Sequence, residues 1–200
     1  MNLDQIQTGD LLLFSTNKWY SDVIEIGDNC PFSHCGLILR DPTYLDPSLN
    51  GLYVLESGLE PFPDSTDHQI HFGVQIVPLE KVIQEYIFKK EGSLFHRSLN
   101  GKRDKNFERK LYQAYQIVKD KPYNCNPLDW LEALLNIHWF DTKITSRFWC
   151  SALVAYLYVR LGIIDEKIDW SLVTPKEWSS VANRFVFLNG YTLEKEVLLI

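Results

Sequence analysis

Apolar positions in the first half of the chain come in short runs closed by turn residues. Residues 11–14 (Leu-Leu-Leu-Phe) follow the turn pair Gly9-Asp10, and residues 35–39 end before Asp41-Pro42. Residues 52–56 lie between Asn50-Gly51 and Ser57-Gly58, and residues 74–77 stop at Pro78. Such bounded β-prone runs predict buried strands. Helical spacing appears at Trp19, Val23 and Ile26, which predict a short helix or turn. It appears again over 79–88, where Leu79, Val82, Ile83 and Tyr86 or Ile87 share a face. The second half reads as helices. Phe107, Leu111, Tyr115 and Val118 form one stripe over 105–119, which Pro122 terminates. Pro127 opens a helix over 128–135, and residues 151–161 form a strongly apolar helix closed by Gly162. Thr174-Pro175-Lys176-Glu177 combines an N-cap, an N1 proline and a first-turn acid, predicting one more short helix. The tail, 185–188 and 191–200, is expected to return as a strand. Segments 41–50 and 59–71 are the longest irregular stretches, of the kind that rim a site.

Composition narrows what this pattern can serve. The 200 residues fit one domain, 1–200, and at 46% hydrophobic they can fill a core. A net charge of −6 gives no electrostatic footprint for nucleic acid and argues against simple adsorption to anionic lipid. The longest apolar run, 152–158, is too short to span a membrane, which leaves only peripheral lipid contact open. The opening Met1-Asn2-Leu3-Asp4-Gln5 has no basic n-region, so a cytoplasmic location is expected. Cys30, Cys35, Cys125 and Cys150 form no small-scaffold disulfide pattern, and reduced thiols are expected there.

A reduced thiol can be a nucleophile, and Cys150 has the most informative context. It stands immediately before the apolar helical run. A thiol at a helix start meets unpaired backbone N–H groups and the positive end of the dipole, which favour thiolate and can receive an oxyanion. His34 lies just ahead of the strand Cys35-Gly36-Leu37-Ile38-Leu39, where Gly36 permits close approach of another backbone or of substrate. Glu56 ends the next strand and can orient His34 if the two strands are neighbours. Asp41 is a rival orienter, weakened because Asp-Pro is a common turn pair. Structural roles compete at each position: a buried free cysteine, a strand-edge histidine, an exposed glutamate. The Cys30, His34 and Cys35 cluster offers soft ligands, but adjacent strand residues face opposite ways and no second cluster completes a tetrahedral zinc site. No metal and no cofactor is expected.

Taken together, these segments resemble the circularly permuted branch of the NlpC-like papain superfamily, with its YiiX-like proteins and a related poxvirus group. The resemblance covers most of the chain. Gln7-Thr8-Gly9-Asp10-Leu11-Leu12-Leu13-Phe14 looks like the family's opening strand, and Phe32-Ser33-His34-Cys35-Gly36 like its histidine strand. Val54-Leu55-Glu56-Ser57 is similar to the strand carrying the third polar member. Lys121-Pro122-Tyr123-Asn124 resembles its Pro-Tyr segment, and Phe148-Trp149-Cys150-Ser151-Ala152 its nucleophile helix. Thr174-Pro175 is similar to the turn after that helix. The histidine precedes the cysteine, the reverse of ordinary papain-like chains. Cys35 departs from the Val or Ile common at that position, and 128–147 looks like an insertion before the nucleophile.

The resemblance implies an α+β, permuted papain-like fold, with an antiparallel, barrel-like sheet packed against a helical part carrying the nucleophile. It implies a cysteine hydrolase cleaving an amide, ester or thioester through Cys150, His34 and Glu56 and an acyl-enzyme intermediate. The Cys150 N–H and the Tyr123 hydroxyl would then serve the oxyanion or the substrate. The kinship to the poxvirus group extends the expected location to host cytoplasm or virion. Two alternatives stand beside amide hydrolysis. One is lipid acyl hydrolysis or transfer, like the lecithin:retinol acyltransferase-like proteins, motivated by the aromatic segment 130–149. The other is a non-catalytic ligand-binding protein of the same fold.

Overall fold

The computed structural model describes residues 3–15, 32–59, 61–86, 88, 92–125, 145–182 and 184–200. The expected helices over 19–26 and 128–135, most of the 128–147 insertion, and Cys30 lie outside the described residues. Strands β1 (Leu11–Ser15), β2 (His34–Arg40), β3 (Leu52–Gly58), β4 (Gly73–Pro78), β5 (Ser93–Arg97) and β8 (Val197–Leu198) form one sheet in the order β4-β3-β2-β1-β5-β8. Every pairing is antiparallel. β6 (Leu99–Asn100) and β7 (Thr192–Leu193) make a separate short pair. The helices are α1 (Leu79–Glu85), α2 (Lys105–Val118) and α3 (Cys150–Leu161), with 3-10 turns at Leu3–Gln5, Trp170–Leu172 and Pro175–Trp178. The class is α+β, as expected.

The strands read as continuous apolar runs because the sheet is buried on both faces. Leu11, Leu13, Cys35, Leu37, Leu39, Leu55 and Ile76 alternate toward α2 and α3. Leu12, Phe14, Ile38, Val54 and Val77 point the other way, where they meet Leu79, Val82 and Tyr86 of the α1 segment. α2 is amphipathic and starts at Asp104, whose side chain accepts from the Asn106 and Phe107 N–H groups at 3.0 Å. α3 is buried on nearly every side, only Val159 and Arg160 escaping, so it forms the centre of the helical layer. Gly162 closes it in the left-handed conformation (φ 75°). Among the described residues no helix is long and apolar enough to cross a membrane.

Two differences from the sequence reading share one cause. Segment 93–100 carries His96 and Arg97 and reads as polar loop, yet it forms β5 and β6, and both side chains are buried. Their partners are remote. Asp10, itself buried, bonds His96 Nε2 at 2.8 Å, Arg103 at 2.8 Å and the Leu99 N–H at 3.0 Å. Arg97 donates to the carbonyls of Trp178 and Glu194 at 2.6 Å and of Leu193 at 3.1 Å. That clamp holds the tail, which therefore needs only the two-residue strands β7 and β8 rather than a full returning strand. Asp10→Ala strips the shared acceptor from His96 and Arg103. It is expected to lower stability by about 3–5 kcal/mol, read as a lower denaturant midpoint at unchanged m-value.

Candidate active site

The start of α3 is fixed before any chemistry is considered. Trp149 is its N-cap residue, extended at φ −90° and ψ 168°, and its indole N–H donates to Val173 O at 3.1 Å. Ser151 Oγ donates to the same carbonyl at 2.7 Å, and Trp178 Nε1 donates to Ser151 O at 3.3 Å. From the sheet side, Ser57 Oγ on β3 donates to Phe148 O at 2.7 Å. Cys150 is thus the first helical residue of a rigidly held turn, where a backbone N–H has no partner within its own helix.

Three donors converge on the Cys150 sulfur. Its thiol interacts with the Cys35 thiol, the Cys35 backbone N–H and the His34 imidazole. The Cys35 hydrogen bond is the largest influence. Burial alone would push the Cys150 thiol up, but that bond and the His34 charge together hold it well below the ordinary range. Cys35 moves the other way: burial and the Cys150 thiolate beside it push its thiol up, so it stays protonated and able to donate. For His34, burial works against the charged form. The Cys150 thiolate and hydrogen bonds to Cys150 and Glu56 outweigh it, raising the imidazole well above 6.5. Both shifts favour the thiolate–imidazolium form of the pair.

His34 opens β2 and keeps 16% of its side chain exposed, so the site is not sealed. The ring packs edge-on against Phe14 at 4.7 Å. Its Nε2 meets Glu56 Oε2 at 2.5 Å, leaving Nδ1 for the thiol. Glu56 is not the exposed strand-end residue that its position suggests; it is completely buried (0% exposed), and Gln75 Nε2 donates to its other oxygen at 3.0 Å. Asp41, the rival orienter, has φ 44° and accepts from the Gly51 N–H at 2.7 Å, closing the β2–β3 turn. Gly36 serves the sheet rather than a ligand: a Cβ there would stand 2.5 Å from Val54 Cγ1.

Tyr123 reaches the site through a short extended segment. Its N–H donates to Phe72 O at 3.0 Å and its ring stacks on Phe72, with centroids 4.9 Å apart and planes at 12°. Burial and the neighbouring Cys150 push its phenol up, so the hydroxyl remains a donor. The structure therefore brings together Cys150, His34 and Glu56, with Tyr123 within electrostatic reach. It adds Cys35 and Gln75. A polar residue inside the apolar run Val74-Gln75-Ile76-Val77 was the available signal for Gln75. Strand alternation assigns Cys35 and His34 to opposite faces, yet both meet Cys150, which lies where β2 begins. Cys125 is exposed and lies near Tyr123, whose phenol it helps push up.

A crystal structure of the metalloprotein YiiX from Escherichia coli O157:H7 superposes with a TM-score of 0.51 at 20% identity, covering 78% of this chain and 67% of that one. The fold is similar to that of YiiX. No sequence-family model and no curated protein matches the chain. Although YiiX is a metalloprotein, the described residues of this chain include no group of three or more His, Cys, Asp or Glu side chains arranged to hold a metal ion.

Proposed function

We propose that this protein is a cysteine-dependent hydrolase of the permuted NlpC-like type, cleaving an amide, ester or thioester. The observation that carries the reading is the chain of contacts from the Cys150 thiol through His34 to Glu56, with a 2.5 Å Nε2–Oε2 bond, at the start of a helix. The Cys150 thiolate attacks the carbonyl carbon. The His34 imidazolium gives its proton to the leaving group, and the acyl group stays on sulfur. His34, now neutral, takes a proton from water as it attacks the acyl carbon; the carbon–sulfur bond breaks, the acid leaves, and the Cys150 thiolate and His34 imidazolium are restored. Glu56 holds the ring in the required orientation. The Cys150 N–H and the Tyr123 hydroxyl receive the oxyanion, each good donor supplying on the order of 3 kcal/mol. The likeness to YiiX supports the fold this mechanism needs.

Acyl transfer from lipid is the second reading, and an observation favours it. Leu59 and Phe72, both at least half exposed, flank the site: Leu59 follows Gly58, which lies against the His34 ring, and Phe72 stacks on Tyr123. Together they offer an apolar wall to an acyl chain.

Alkylation by iodoacetamide with peptide mapping tests the shared chemistry. The thiolate should persist as pH drops from 9 through neutrality and disappear only below the lowered Cys150 value. The imidazolium should persist above 6.5 and be lost as pH rises through the raised His34 value. At pH 6 an ordinary thiol is only about 0.3% ionised. Cys150 is therefore expected to label first there, ahead of exposed Cys125. Labelling of Cys125 with Cys150 untouched would sink the assignment.

A further inference from the structure

The side chain that faces Glu56 from β4 is harder to explain by packing than its neighbours. Gln75 stands directly opposite Glu56 in the β3–β4 register and is only 1% exposed. Its Nε2 donates to Glu56 Oε1, while its own Oε1 is buried without a protein partner among the described residues. Val74, Ile76 and Val77 around it are apolar and buried. A side chain of the same length without polar atoms would fill the space and leave no acceptor unsatisfied. Turning the amide over would instead aim its carbonyl at a carboxylate, so Glu56 fixes the orientation.

We propose that Gln75 is a positioning residue for the reaction: it holds Glu56 so that the second carboxylate oxygen stays on His34. The inference rests on the reading of Cys150, His34 and Glu56 given above. A carboxylate has two oxygens, and here His34 occupies one and Gln75 the other, with Glu56 wholly enclosed. Removing the amide donor withdraws support from the charged carboxylate. The carboxylate is then free to turn away from His34, the imidazolium loses its hydrogen-bond partner, and the thiolate loses its counter-charge. Gln75 thus acts on the nucleophile through two intervening residues.

Gln75→Met keeps the volume and deletes the donor. The measurement is the rate of Cys150 alkylation by iodoacetamide against pH, with thermal melting alongside. The midpoint is expected to move up by about one unit, so that well below it Cys150 reacts roughly tenfold more slowly. A purely structural residue would change the melt and leave the midpoint in place, and that result overturns the proposal. Gln75→Asn, whose amide is one methylene too short to reach, covers the case in which Gln75→Met does not fold. It should shift the midpoint the same way, and an unmoved midpoint counts against the proposal equally. Glu56→Gln separates the two levels of argument. If it shifts the midpoint and the Gln75 variants do not, only Gln75 loses its role. If it too leaves the midpoint unmoved, the reading of Glu56 and His34 fails first.

Discussion

Cys150→Ser should lower turnover of an activated ester or thioester by roughly four orders of magnitude or more. No acyl adduct should then form on residue 150. The loss follows from what surrounds the sulfur. The Cys35 thiol, the Cys35 N–H and the His34 imidazolium favour the thiolate form of Cys150. A serine hydroxyl ionises far above the thiol range, so the same donors would have to be met by a neutral oxygen. His34 would then need to act as a neutral base, whereas its hydrogen bond to Glu56 favours the protonated form. The wild type should show an adduct of the acyl mass on the peptide containing Cys150, and Cys125→Ser, at an exposed thiol, should still form it. Near wild-type turnover in Cys150→Ser would remove the nucleophile from the mechanism. A pocket that binds ligand equally well in Cys150→Ser, with no turnover by the wild type, would instead favour a binding protein.

The local half of this arrangement was legible in the sequence. Strands β1 to β4 announce themselves as bounded apolar runs, and Cys150 stands at the start of an apolar helix ended by Gly162. What was not legible is set by contacts between distant segments. Glu56 looked like a strand-end carboxylate because its burial depends on partners from other strands, His34 on β2 and Gln75 on β4. Cys35 stood out only as a departure from the Val or Ile common at its position, and nothing in residues 30–40 says that a helix 115 positions later begins against it. β5 was missed because His96 and Arg97 are polar, and their burial depends on Asp10 and on tail carbonyls. The Thr174 N-cap, Pro175 and the first-turn acid did predict a helical turn, which forms as a 3-10 turn over Pro175–Trp178 closed by a capping box. Patterns that a single element satisfies can be read directly. Polar burial requires knowing the partner.

Gly73→Ala should damage both stability and turnover, because it strikes the backbone that carries Tyr123. Gly73 opens β4 and pairs with Pro122 across an isolated antiparallel bridge. A Cβ at this position would stand 2.2 Å from Lys121 O, 2.8 Å from Pro122 Cα and 3.0 Å from Pro122 C. All three are backbone atoms, so no rotamer change relieves the contact, and heavy atoms need about 3.5 Å or more. The 121–123 segment must therefore move by roughly an ångström. Its anchors go with it: the Val74 N–H bond to Lys121 O at 2.9 Å and the Tyr123 N–H bond to Phe72 O at 3.0 Å. Overpacking with two weakened backbone bonds costs about 3 kcal/mol, which lowers the melting temperature by roughly 6–12 °C in a domain of this size. Because Phe148 donates its N–H to Pro122 O at 3.1 Å, the shift also reaches the residue before the α3 N-cap. The variant should keep its Cys150 alkylation midpoint, set by His34 and Cys35, while its turnover falls by up to about 10²-fold through a misplaced Tyr123. Tyr123→Phe should reproduce the turnover loss without the stability loss. A Gly73→Ala protein that melts with the wild type would mean that the Pro122 segment does not press against β4 as described.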